Sequence, residues 1–152
     1  MLCLDRVIPS DQEVIRLLHS SVHLREPRVA AAVTMLLSLG LGQDLVRQLR
    51  WLHVQKSGSQ LQIGAQRRGA GIVPITRLLR QQLVAIGIRQ PTDRIFTKPS
   101  PAALSLDALF KTALLDAGLS RYRWHDFLRW SDRQSTATKL QVATLWNGQN
   151  NY

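Results

Sequence analysis

The sequence is short of several things, and each absence excludes something. A single cysteine, Cys3, rules out an intrachain disulfide and points to a reducing compartment. There is no C-x-x-C pair and no Cys/His cluster of the kind a zinc site needs, so neither a metal nor a cofactor is expected. No apolar run is long enough to span a bilayer: the stretch from Val29 to Leu41 is interrupted by Thr34 and Ser38 and reads as a buried core helix. Asp5 and Pro9 stand where a signal peptide would place its apolar segment, so a cytoplasmic protein without a membrane partner is expected. Most informative, no acidic residue occurs between Asp44 and Asp93.

That acid-free stretch holds Arg47, Arg50, Lys56, Arg67, Arg68, Arg77, Arg80 and Arg89, in a chain whose formal net charge is +10. Self-repulsion of this kind destabilises a compact fold unless a polyanion relieves it, and nucleic acid is the usual one. The alternative is a solvated basic face with no partner. Sixteen of the twenty basic residues are arginine, whose planar fork grips phosphate oxygens bidentately. At 152 residues and 45% hydrophobic content the chain is expected to be one folded domain, residues 1–152, with 1–9 as an N-terminal extension.

Local signals divide the chain into helices around a short β region. Ser10 and Glu13 form a capping box that opens a helix running to about His23. Pro27 suits the first turn of a second helix, which carries Val29 to Leu39 and stops at Gly40. A short third helix holds Leu45, Val46 and Leu49 on one side and Arg47 and Arg50 on the other. Trp51 to Val54, Leu61 to Ile63 and Gly71 to Ile75 read as strands, the last lying at an edge or ending at Pro74. Helical spacing returns at Thr76. After a proline-containing connection with a short extended piece at Ile95–Phe96, Ser105 caps a helix that Gly118 closes. A helix begins near His125, and Leu140, Val142, Leu145 and Trp146 indicate one more. The expected fold is α+β and mostly helical, a small three-stranded antiparallel sheet flanked by helices.

The order of these pieces resembles the catalytic domain of tyrosine recombinases, the phage-integrase family. The resemblance is carried by Val14 to Leu18, Leu36 to Leu41, Leu49-Arg50-Trp51, the basic hairpin Gln66 to Ile75, Phe96, Ala117-Gly118-Leu119, and the box Trp124 to Arg129. It covers about Ser10 to Gly148. It implies DNA strand transfer in which a tyrosine hydroxyl attacks a phosphodiester, arginines and histidines hold the non-bridging oxygens, and a hairpin lysine protonates the leaving oxygen.

Residue by residue, the chain departs from that pattern. The family's first arginine follows Gly-Leu directly, and here that position is Gly42. The hairpin lysine is replaced by Arg67 or Arg68, which grip phosphate well but release a proton poorly. The His-x-x-Arg box becomes His125 and Arg129, one residue further apart, so that either Asp126 takes the histidine's place or the box is bulged. Gly148 stands at the second histidine, with Trp146 out of register for the same part, and the nucleophilic tyrosine is missing or displaced, Tyr152 lying closer to Gly148 than the family's spacing.

The candidate catalytic residues are therefore Arg129, His125, Arg67, Arg68 and Tyr152. The candidate DNA contacts are Arg47, Arg50, Lys56, Arg67, Arg68, Arg121, Arg123, Arg129 and Arg133. The expected partner is double-stranded DNA, which would place the protein on the nucleoid. Because the family clamps DNA between two domains, self-association or a separate core-binding domain would complete the grip. The leading expectation is a DNA-binding, catalytically impaired member. The alternatives are an active recombinase using Tyr152 with a rearranged site, and a non-catalytic helical module binding RNA or an acidic protein. His19 and His23 read as boundary histidines rather than ligands, and His53 as structural. Trp51 and Trp146 read as core, while Trp124 and Trp130, flanked by arginines, suit either the core or stacking on bases.

Overall fold

Ser10 and Glu13 open the first helix as their spacing predicts: the Ser10 hydroxyl accepts the Glu13 amide at 3.2 Å, and the Glu13 carboxylate accepts the Ser10 amide at 2.9 Å. This helix, α1, spans Asp11–His23 and buries Val14, Leu17 and Leu18. In the computed structural model of the chain, residues 8–55, 60–63, 72–87, 89–98 and 100–134 are described.

Helix α2 spans Pro27–Thr34 and lies at the centre, packed on α1, on α4 (Arg77–Ile86) and on α5 (Leu106–Asp116). Its consecutive alanines, Ala30, Ala31 and Ala32, are all buried, and their small size lets neighbouring helices approach from several sides. The helix then widens into a π-type turn over Met35–Leu39 and ends at Gly40, whose φ of 66° is left-handed. Thr34 and Ser38 donate their hydroxyls to carbonyls four residues back, Thr34 to Ala30 at 3.0 Å. Such back-bonding competes with the regular helical ladder and favours the widening.

A short helix α3, Gln43–Gln48, follows with Gly42 at its N-cap. Three strands come next, β1 (Val54–Gln55), β2 (Gln60–Gln62) and β3 (Ile72–Pro74), in the order β1-β2-β3 and antiparallel throughout. Val54, Leu61 and Val73 lie in register on one face, and Pro74 sits on the edge strand, where its missing amide is harmless. The first expected strand is corrected: Trp51–His53 forms a 3-10 turn, and only Val54–Gln55 pairs. The reason is tertiary, since the Trp51 and Leu52 amides donate to the Asp93 and Pro91 carbonyls rather than to a strand. The expected third strand is likewise shorter, and its Gly71 lies outside the described residues.

Ser105 caps α5 by accepting the Ala108 amide at 3.2 Å, and Gly118, with φ 72°, closes it. The Leu119 amide reaches the Leu114 carbonyl at 2.8 Å and Leu119 is buried, which completes a Schellman-type end. The last described helix, α6, spans Trp124–Arg133. The domain is thus α+β and mostly helical, with helices on both sequence flanks of the small sheet. The helix expected around Leu140 to Trp146 lies outside the described residues.

Candidate nucleic-acid interface

Helix α6 is docked by side-chain donors that find the carbonyls a widened helix end leaves free. The Trp124 indole donates to the Leu41 carbonyl at 3.1 Å, and the Ser131 hydroxyl donates to the Leu37 carbonyl at 3.0 Å. A third bond, from the Trp130 indole to the Asp11 carboxylate at 2.9 Å, ties α6 to the start of α1. Phe110 of α5 packs on Trp124 with ring centroids 5.0 Å apart, and Gln43 of α3 donates to Asp107 of α5 at 3.0 Å. These contacts draw together the first turns of α3, α5 and α6, which carry Asp44, Asp107 and Asp126.

Both tryptophans left open between core and base stacking belong to the core. Trp124 is 4% exposed and Trp130 2%, and each indole N–H is already bonded within the protein. Trp51 is buried too, and the His53 ring accepts the Arg50 amide at 2.9 Å, a structural part.

The opposite face of α6 carries His125, Arg129 and Arg133, each four residues after the last and so in one row along the helix. His125 and Arg133 are exposed and Arg129 is half-buried. Arg129 and Arg133 have no ion-pair partner among the described residues, nor does Arg123 at the N-cap. Helix α6 runs without interruption, so the box around His125 is not bulged. The residue three before Arg129 is Asp126, and its carboxylate caps the helix by accepting the Arg123 amide at 2.8 Å. A carboxylate there repels a phosphate oxygen that a histidine would hold.

The other expected DNA contacts sit in varied settings. Arg47 lies between two carboxylates, bonded to Asp107 at 2.8 Å and to Asp44, and the Asp44 hydrogen bond pushes its pKa further up. The Arg50 guanidinium donates to the Thr92 carbonyl. Arg121 pairs with Glu13 and lies 4.5 Å from the centroid of the Tyr122 ring. Arg77 and Arg80 belong to α4, which packs on α2. Lys56, Arg67, Arg68, Gly148 and Tyr152 lie outside the described residues.

Gly42 takes an ordinary extended conformation, φ −68° and ψ 158°, and a Cβ built there meets no atom within 4 Å. Among the described residues no neighbour fills the position. Tyr122, the tyrosine among the described residues, is buried, and its hydroxyl donates to Glu13 at 2.9 Å. Burial first, and that bond second, push its pKa up, which is the wrong direction for a nucleophile. Glu13 moves the other way: the Ser10 amide, the Tyr122 hydroxyl and the Arg121 charge hold its pKa below the usual carboxylate value.

The structure adds two cations that sequence reasoning did not single out. Arg94 and Lys98, in the connection between α4 and α5, stand with Arg47 around a cleft of about 300 Å3 whose wall includes Phe96, Thr97, Ser105, Leu106 and Asp107. Neither carries an ion pair among the described residues. Their place follows from the Ile95 amide bonding the Leu49 carbonyl at 2.9 Å and from the bridge between Arg50 and Arg94, pairings across more than forty residues that leave no periodic trace. No group of three or more His, Cys, Asp or Glu among the described residues is placed to hold a metal ion. No helix among them is long and apolar enough to cross a membrane.

This mostly helical architecture with its small antiparallel sheet is similar in fold to a solved recombinase. It superposes on the crystal structure of XerA recombinase with a TM-score of 0.65 over 97% of this chain, at 14% sequence identity, and the chain spans 66% of the XerA chain. At that identity the match speaks for the fold alone. No family model matches the sequence, and no curated protein matches it.

Proposed function

We propose that this protein binds duplex DNA through the side where α3, α5 and α6 begin, and that it is impaired in strand transfer. The solvent face of α6 carries the reading, because its Arg129 and Arg133 are cations without ion-pair partners among the described residues, with His125 in the same row. Arg123, Arg94 and Lys98 extend it, and Arg67, Arg68 and Lys56 are read from the sequence as further contacts. DNA as partner implies a cytoplasmic, nucleoid-associated location. A second copy or a separate core-binding domain would supply the other half of the clamp.

Impairment follows from two positions. Gly42 has no side chain where the family holds its first phosphate clamp, and removing one such donor costs about 3–4 kcal/mol of transition-state stabilisation. Asp126 places a negative charge three residues before Arg129, where a donor is needed. Both changes weaken the charged transition state far more than the resting complex, so binding survives while chemistry is lost.

Titrating the protein against a fluorescent duplex at several salt concentrations tests the binding. Affinity should fall linearly on a log–log plot, with a slope near −0.9 per phosphate contact. A flat plot, or the absence of binding at low salt, would reject the reading. A nicked suicide duplex tests the impairment: no denaturation-resistant protein–DNA band should form. A band that Tyr152→Phe abolishes would instead establish the active recombinase.

A further inference from the structure

One cation in the proposed interface is unlike the others. The Arg47 guanidinium donates through Nη1 to Asp107 Oδ2 at 2.8 Å and through Nη2 to Asp44 Oδ1, so the trio carries one net negative charge. A phosphate oxygen brought to such a trio is repelled, which makes Arg47 a poor backbone contact despite its exposure of 42%. Arg94 and Lys98, on the wall of the same cleft, have no such neutralising partners among the described residues and suit phosphate.

What a carboxylate-held arginine suits is an uncharged edge that offers acceptors and a donor side by side. A guanidinium has five N–H donors; two are occupied here, one on each terminal nitrogen. Gln43 also donates to Asp107 at 3.0 Å, a further tie between α3 and α5. The major-groove edge of a G·C pair presents guanine O6 and N7 as acceptors beside the cytosine N4 amino donor. The remaining Arg47 donors complement the first two, and an adjacent carboxylate oxygen complements the third. No other base pair offers two acceptors on one base next to a donor on its partner.

We propose that Arg47, held between Asp44 and Asp107, is a specificity-determining residue that reads a G·C pair in the major groove, with Arg94 and Lys98 gripping the flanking phosphates. This rests on the DNA-binding reading above and gives it a sequence preference.

Selection from a randomised duplex pool, followed by titration of the winning sequence, tests it on the whole protein. Wild type should enrich a G·C pair at one position. Replacing that guanine by 7-deazaguanine, which lacks the N7 acceptor, should weaken binding about fivefold or more. Arg47→Gln should erase the enrichment at that position and lower affinity for the selected site by between about 5-fold and about 150-fold, with little change in salt slope. Lys98→Gln should do the reverse, keeping the preference and reducing the salt slope by about one. If wild type binds duplex but enriches no G·C pair, the inference fails and the DNA-binding reading stands. If Arg47→Gln keeps the preference and changes the salt slope, or merely lowers the unfolding midpoint, Arg47 is a phosphate contact or a tie between α3 and α5. If wild type binds no duplex, both readings fall together.

Discussion

Replacing Gly42 by arginine is the sharpest perturbation of the proposed interface. The backbone there is ordinary extended conformation, open to any residue, and a Cβ meets nothing within 4 Å among the described residues, so the substitution starts without a clash. Loss of glycine at an N-cap costs at most about 1 kcal/mol, so the fold should tolerate the change. If the position faces the duplex, one more cation meets one more phosphate. Counterion release then makes the log–log salt slope steeper by about 0.9, and at 0.1 M salt the corresponding gain in affinity is about eightfold. Fluorescence anisotropy on one duplex, wild type against Gly42→Arg at four or five salt concentrations, reads both quantities. An unchanged slope would mean that Gly42 does not face DNA, and the assignment of the interface to this side of the molecule would be wrong. A loss of more than about 2 kcal/mol in urea denaturation would mean that the site is not open.

Three further outcomes are expected. Arg129→Gln should weaken duplex binding and reduce the salt slope by about one, as a phosphate contact does, whereas an unaltered slope would remove the row on α6 from the interface. Trp124→Phe keeps the packing on Phe110 but leaves the Leu41 carbonyl without its donor, so unfolding free energy should fall by about 1–3 kcal/mol in a urea titration, and equal stability would show that the bond contributes nothing. Glu13→Gln should destabilise at neutral pH through the weakened ties to Ser10, Tyr122 and Arg121. Because the folded pKa of Glu13 is lowered, its charged form stabilises above the unfolded value of about 4.3, and that contribution is lost as pH falls through the folded pKa. The gap between the two proteins should therefore be wide at pH 7 and narrow as the pH falls below the unfolded value, and a gap that does not narrow in acid would contradict the assignment.

Helix starts and stops could be read from the residues alone because they are settled within a few positions. The Ser10–Glu13 box, Pro27 and Ser105 satisfy or remove amides three or four residues away, and Gly40 and Gly118 take left-handed conformations that side chains disfavour. The edge placement of Pro74 was equally local, since a residue without an amide cannot sit inside a ladder. Trp51 to His53 was not legible: a short apolar run fits a strand or a turn equally well, and contacts to Pro91 and Asp93, some forty residues on, made it a turn.

The candidate site divides along the same line. Net charge, the acid-free middle and the absence of a side chain at Gly42 belong to composition and order, and pointed to a polyanion partner without any coordinates. Which cations can meet a partner depended on where the ten carboxylates fell in space. Asp44 and Asp107, one near in sequence and one sixty residues away, turned Arg47 from a free charge into a braced one, and Glu13 drew in Arg121 across more than a hundred. Arg94 and Lys98 entered the site only because the Leu49–Ile95 backbone bond carries their loop to it. Coulomb energy falls with distance in space and takes no account of distance along the chain, so charge identity is legible in sequence and charge pairing waits for the fold.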